Sequence, residues 1–322
     1  MQDSVFAQRI RERFPEGLTG VLPIGATRTT YILEHNRQSD EPGKITDFDL
    51  YVDTLLGSCI SFFESYLELG GQNMIVPIFY YQGFKKRGDE YVKAIIGPYL
   101  RLVTEKFQPF YRANNVDPYF AGIDTLLHTP ESEITHQFGQ GLADFQAQWQ
   151  YEAGRRKLVW EVAPIPLFSF FRAKQAMGPE EAARFEAEVE STTSLEALAD
   201  IMYRYYSRAV YGTEIPKAHF YLGTNRNGDL KLGSVSPLSL YDGHLFRLYY
   251  TPYPSLFMTR EALREVLEDL AFGKSPSSLT IDYRKEYTKA SAEEEYNRFV
   301  ALRDDPKSTV GLLRKTAAPE TD

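Results

Sequence analysis

The chain has 322 residues, 43 % hydrophobic and 25 % charged, with a formal net charge of -8 from 36 basic and 44 acidic side chains. This balance excludes a mainly disordered chain and argues against sequence-independent nucleic-acid binding, which needs a basic face. A single cysteine, Cys59, excludes an internal disulfide and any multi-cysteine zinc site.

In chain order, the N-terminal stretch MQDSVFAQRIRERF is charged and amphipathic and lacks the apolar centre of a signal peptide. No apolar run reaches the roughly 18 residues of a membrane span, so the expectation is a cytoplasmic protein without one. A first strand is expected at Leu18–Ile24, followed by Gly25-Ala26-Thr27-Arg28. The clearest helix begins near Thr46, where Phe48, Val52, Leu55, Cys59, Phe62, Tyr66 and Leu69 recur at steps of three and four. Gly70-Gly71 stops it, because glycine takes the left-handed geometry of a helix end. Asn73–Phe79 is a second strand, with Tyr80-Tyr81-Gln82-Gly83 beyond it, and a helix follows Gly88. Val116–Ala121 is a third strand, trailed by Gly122-Ile123-Asp124, and a helix follows Glu133. Lys157–Ala163 is a fourth, leading into an apolar loop, Pro164–Phe171. Helices follow Pro179 and Ser194; Pro179 before Glu180-Glu181, and Thr259 ahead of Glu261 further on, are start signals. Ala218–Gly223 and Leu245–Thr251 are the last two strands, with Thr224-Asn225-Arg226 after the fifth, and helices follow Thr259 and Ala290. From about Asp304 the chain is polar and expected to fray.

Short apolar runs alternating with helical patterns predict an α/β fold. One domain over residues 1–303, with a mostly parallel six-stranded sheet flanked by helices, precedes a polar tail at 304–322. In such a sheet ligands bind beyond the carboxyl ends of the strands. Tyrosine and phenylalanine number 22 and 21, which suits either an aromatic core or a ring-walled pocket for a greasy or cationic ligand.

Familiar catalytic motifs are absent: there is no Walker A loop, no G-x-G-x-x-G after a strand, no H-E-x-x-H, no C-x-x-C and no G-x-S-x-G. Gly139-Gln140-Gly141 lies inside a helical pattern. His35, His128, His136, His219 and His244 are scattered and read as structural, Arg87-Gly88-Asp89 reads as a turn, and Cys59 reads as core.

The segment Leu22-Pro-Ile-Gly-Ala-Thr-Arg-Thr-Thr-Tyr31 resembles the phosphate loop of the (Z)-prenyl synthases, which carry D-G-N-G-R-W or, in the tuberculosinol synthase type, D-G-T-R-R-W. Val76–Phe79 with Arg87-Gly-Asp89 and Tyr91 resembles that type's P-I-F…R-G-D-R-Y, and Leu248–Thr251 with Pro254-Ser255 and Met258-Thr259 resembles its L-Y-F-T…P-S-Y-Y-M-T. Ala218–Asn227, with Ser234 and Ser236, falls where the family has R-T-G-G-E-x-R-L-S-N.

The resemblance implies a (Z)-prenyl synthase-like fold, a prenyl diphosphate substrate and a homodimer. It places Gly25, Ala26, Thr27, Arg28, Thr29, Arg226, Ser234 and Ser236 around a diphosphate, for which the planar guanidinium of Arg28 is well shaped. Tyr51 falls, within one residue, on a tyrosine that follows an acidic pair, here Asp47 and Asp49; by residue chemistry alone those acids equally fit a helix cap. Tyr31, Tyr80, Tyr81, Phe84 and Phe168 are candidates for the hydrophobic pocket. Mg²⁺ is the cofactor the family implies, while Gly25 stands where its chain-elongating members have a metal-binding aspartate. The leading expectation is a terpene synthase that ionises a C15 or C20 allylic diphosphate. The alternatives are prenyl transfer to a small acceptor and a non-catalytic partner subunit of a heteromeric (Z)-prenyltransferase.

Overall fold

The computed structural model describes residues 2–24, 31–32, 45, 48–80, 96–97, 99–101, 103–224, 230–234, 246–273 and 289–304. Six strands form where the apolar runs stand: β1 (Thr19–Val21), β2 (Asn73–Phe79), β3 (Val116–Ala121), β4 (Arg156–Val162), β5 (Phe220–Thr224) and β6 (Arg247–Thr251). All neighbours pair in parallel, in the spatial order β3-β4-β2-β1-β5-β6. The expected α/β sheet is therefore present, flanked by helices.

Parallel strands in the middle of such a sheet are buried on both faces, which explains why they read as continuous apolar runs rather than alternating ones. Side chains nevertheless alternate between faces. Leu22, Met74, Val76, Leu158, Trp160, Phe220 and Leu222 enter the larger core cluster, and Val21, Ile75, Val159 and Tyr221 enter the smaller one on the other face.

The larger cluster is closed by α1 (Gln2–Arg13), α2 (Phe48–Glu68) and α3 (Gln108–Ala113), which contribute Phe6, Phe63 and Phe110. Beyond the short α4 (Ile123–Leu126), α5 (Ile134–Gln148) adds Phe138 and Leu142 to the same cluster. The chain then forms α6 (Pro166–Ala176), α7 (Pro179–Ser191) and α8 (Leu195–Tyr211), the last of which buries Val210 and Tyr211 on the smaller cluster. Finally α9 (Arg260–Phe272) returns to the larger cluster through Leu263 and Leu267, and α10 is Lys289–Asp304. The polar tail expected beyond Asp304 lies outside the described residues.

Local signals set the helix ends. The hydroxyls of Ser194 and Thr259 accept hydrogen bonds from the N–H groups of Ala197 (3.3 Å) and Ala262 (3.2 Å), so both sequence-expected starts are capped. Gly70, at φ 105°, closes α2, and a Cβ there would stand 2.8 Å from the Ala7 carbonyl. The expected apolar loop Pro164–Phe171 is corrected: from Pro166 it is helix α6, because proline at the first helical position lacks only an N–H that would have no helical partner there.

Tyr66 ties the start of β1 to that of β2, its buried hydroxyl lying 2.9 Å from the Leu18 carbonyl and 3.1 Å from that of Asn73. Burial pushes the phenols of Tyr66 and Tyr111 well above their ordinary value. A raised native value means that the unfolded chain releases these protons first. The stability they contribute is complete below about pH 10 and falls by ~1.4 kcal/mol per pH unit for each of them above it. Alkaline titration should show exposed tyrosines ionising gradually, then a cooperative step in which phenolate absorbance and loss of circular dichroism coincide. Gradual ionisation of every tyrosine with intact dichroism would contradict this burial.

Candidate functional site

The order β3-β4-β2-β1-β5-β6 fixes where a ligand fits. From β1 the chain crosses to β2 on one side, whereas β5 lies against β1 on the other. In an open α/β sheet the ligand crevice lies at such a topological switch point, here beyond the carboxyl ends of β1 and β5. α2 follows β1 and precedes β2, so its first turn stands at this end of the sheet and its last turn at the opposite end.

Tyr51, in that first turn, is 7 % exposed and meets the 2 % exposed Tyr31 edge-on at 5.3 Å between ring centroids. One and two turns further along α2, Leu55 and Cys59 line an enclosed apolar cavity of about 30 Å³ with Ile24, Ile78, Tyr99, Val103, Phe107 and Trp160. Burial holds the Cys59 thiol far above its ordinary value, so it is a neutral wall group and no nucleophile. The cavity ends on packed rings: Phe107 lies 5.1 Å from Trp160 and 6.1 Å from Phe63. The Trp160 indole N–H donates to the Tyr111 hydroxyl at 2.7 Å, and that hydroxyl donates to the Val103 carbonyl at 2.5 Å. This floor is hydrogen-bonded and fully packed.

Thr224 ends β5 beside the crevice. It shares its face with Phe220 and Leu222, both in the larger cluster that holds the cavity. Its hydroxyl is buried and has no hydrogen-bond partner among the described residues. Native proteins pair such groups almost always, and the exceptions call for a functional reason. Here it is a ready donor at a ligand-binding end of the sheet.

A second group forms on the opposite face, around Glu161 of β4, 1 % exposed. The Ser234 hydroxyl donates to its carboxylate at 2.9 Å. Tyr80 donates to the Gly233 carbonyl; the Gly233 N–H donates to the Tyr221 hydroxyl at 3.2 Å, which donates to the Lys231 carbonyl at 3.1 Å. Burial foremost, with the charge of Glu161 among the lesser influences, raises Tyr80, Tyr221 and the nearby Tyr206: Tyr221 is pushed up to about 12, and Tyr80 and Tyr206 higher still. All three remain neutral donors. The segment Lys231–Ser234 is thereby strapped to the strand ends.

The structure thus brings together Tyr31 and Tyr51 of the expected pocket but seats Tyr80 and Ser234 with Glu161 on the other face. Phe168 lies on α6 against His128, 5.0 Å between ring centroids. Gly25, Ala26, Thr27, Arg28, Thr29, Asp47, Tyr81, Phe84, Arg226 and Ser236 lie outside the described residues, as does the side chain of Asp49. Sequence reasoning placed Thr224 directly after the fifth strand without giving it a role, and missed Phe107, Trp160 and Glu161. Of these three only Glu161 carried a signal, as a lone acid inside the apolar run of β4.

No protein-family model matches this sequence, and no curated protein matches it either. Among solved structures, that of lavandulyl diphosphate synthase from Lavandula x intermedia, in complex with dimethylallyl diphosphate, aligns with a TM-score of 0.50. The alignment covers 80 % of this chain and 95 % of that one, at 12 % identity. The fold is (Z)-prenyl synthase-like. A probable undecaprenyl diphosphate synthase from Campylobacter jejuni gives a TM-score of 0.46 over 81 % of this chain and 98 % of its own, also at 12 % identity. At 12 % identity the likeness to the lavandulyl diphosphate synthase structure is one of fold alone, and the site rests on the residues described above. Among the described residues no group of three His, Cys, Asp or Glu side chains could hold a metal ion. No helix among them is long and apolar enough to cross a membrane.

Proposed function

We propose that this protein binds an allylic prenyl diphosphate at the switch point and ionises it, as a terpene synthase. The observation that carries the reading is the placement, on one face of the sheet, of a buried hydroxyl at the end of β5 with no partner among the described residues and of an aromatic-walled apolar cavity under β2 and β4. A prenyl diphosphate has the same division, an anionic head and an apolar chain.

Ionisation breaks the allylic C–O bond, and its electron pair leaves with the diphosphate. Donors fixed where that charge grows lower the barrier. Thr224 is one such donor, and Thr27, Arg28, Arg226 and Ser236 complete the set in this proposal. Ser234 directs its proton to Glu161 and is replaced in that role by Thr224. The allylic cation left behind faces Tyr31 and Tyr51, whose ring faces stabilise a desolvated cation by ~0.5–2 kcal/mol each. Loss of a proton or capture by water then ends the reaction. The enclosed cavity of about 30 Å³ holds only the end of a chain, so the rest of the substrate lies over the strand ends. Mg²⁺ bound to the diphosphate would supply further charge neutralisation, and no step here depends on it.

Purified protein incubated with C10, C15 and C20 allylic diphosphates should release inorganic diphosphate and a hydrocarbon or alcohol. Binding of these substrates without turnover, under all metal conditions, would move the protein to the partner-subunit reading. Tyr51→Phe keeps the ring and removes the hydroxyl, so it should melt close to wild type while shifting the proportion of alcohol to hydrocarbon seen by gas chromatography. An unchanged product ratio would leave the Tyr51 hydroxyl outside the termination step.

A further inference from the structure

A second cleft, larger than the apolar cavity, lies at the outer edge of the sheet. It encloses about 820 Å³ between α5, α6 and α8 at the carboxyl end of β3, within the range of small-molecule sites. In the order β3-β4-β2-β1 it is three strand spacings from β1, roughly 14 Å, so it is separate from the switch-point site.

Two charged groups of opposite sign, Asp124 and Arg172, line it. Gly122, at φ 103°, turns the chain sharply at the end of β3, and Asp124 follows at the cleft. One Asp124 carboxylate oxygen is buried with no hydrogen-bond partner, and Arg172 of α6, on the same cleft, enters no ion pair among the described residues. Ala143, Ala147, Ala173 and Val210 also line it, together with the larger Gln146 and Tyr151.

The edge of β3 forms part of the surroundings, and an open strand edge invites another strand. Here that is blocked. The Phe120 N–H donates to the Gln146 side chain at 3.2 Å, and the Tyr151 hydroxyl donates to the Pro118 carbonyl at 2.9 Å. An extended peptide adding to the sheet is therefore not the occupant.

We propose that this cleft binds a small zwitterion with an apolar body, an amino acid or short peptide. Its ammonium group would pair with Asp124 and its carboxylate with Arg172, while its side chain lies on the alanine-lined walls. An ammonium group beside the Asp124 side chain and a carboxylate beside Arg172 each gain a charge-assisted hydrogen bond, stronger than a neutral one. The inference does not rest on the prenyl diphosphate reading.

The test is calorimetric titration of the full chain with L-leucine and Leu-Leu, with leucinamide and N-acetyl-L-leucine as probes lacking one charge. The zwitterions should bind, and each single-charge probe should bind at least about tenfold more weakly. Asp124→Asn and Arg172→Gln should each weaken zwitterion binding about tenfold or more, and Asp124→Asn should melt no lower than wild type because the oxygen concerned makes no hydrogen bond. No binding of either zwitterion up to the order of 10 mM would overturn the proposal. So would equal binding of N-acetyl-L-leucine, or affinities unchanged in both variants.

Discussion

Thr224→Val should stabilise the protein by about 1 kcal/mol and weaken pyrophosphate binding roughly 10–100-fold. The two effects have one cause. The Thr224 hydroxyl is buried at the end of β5 with no partner among the described residues, so folding removes it from water and they return no hydrogen bond. Valine has nearly the same shape and no such penalty. A charged oxygen placed beyond the strand ends would supply the missing partner, and a hydrogen bond to a charged group contributes about 1.5–3 kcal/mol. Urea unfolding measures the first effect, and calorimetric titration with pyrophosphate measures the second. Lower stability with unchanged pyrophosphate affinity would make Thr224 a structural residue and take the diphosphate away from β5.

Much of the fold is legible in the sequence because buried parallel strands leave a plain trace. Asn73–Phe79 and Val116–Ala121 are bounded by glycine, asparagine or aspartate and coincide with β2 and β3. Helix α2 shows in the three-and-four spacing of its apolar residues, and Ser194 and Thr259 mark the starts of α8 and α9 by their capping chemistry. Helix α6 is hidden because Pro164-Ile165-Pro166 looks like a loop when the helix-compatible role of its second proline is overlooked.

The site is less legible, for a different reason. Which face of the sheet a side chain takes depends on strand register, and the partners come from far along the chain. Ser234 meets Glu161 across 73 positions and Tyr80 meets Gly233 across 153. A motif that places Ser234 beside a diphosphate carries no information about a carboxylate on β4. Likewise Tyr31 and Tyr51 are equivalent to Tyr80 in composition; they differ in that Tyr51 sits on α2 against Tyr31, whereas Tyr80 follows β2 and bonds the Gly233 carbonyl. The cavity floor of Phe107 and Trp160 comes from a loop and a strand that no local pattern connects.

That floor gives the second large effect. Phe107→Ala should destabilise the protein by about 3–5 kcal/mol, the cost of removing a buried ring and leaving a cavity that closes only in part. Phe107 is fully buried and lies within 6.1 Å, centroid to centroid, of Phe63, Phe110, Tyr111 and Trp160. These neighbours hold one another, and the Trp160–Tyr111–Val103 hydrogen bonds fix them, so the space should persist. If a prenyl chain enters the cavity between Leu55 and Trp160, the new space lies at its far end. A longer chain can then fill it and recover part of the lost packing. Ligand at about a hundred times its dissociation constant stabilises a protein by ~2.7 kcal/mol, so the recovery is measurable by thermal melts. A C20 diphosphate should therefore raise the melting temperature of the variant more than a C10 diphosphate does, and turnover should shift toward the longer substrate relative to wild type. Phe107→Leu, which removes less volume, should show both effects at smaller size. A variant that is destabilised as expected but keeps the wild-type order of chain-length preference would show that the prenyl chain lies elsewhere.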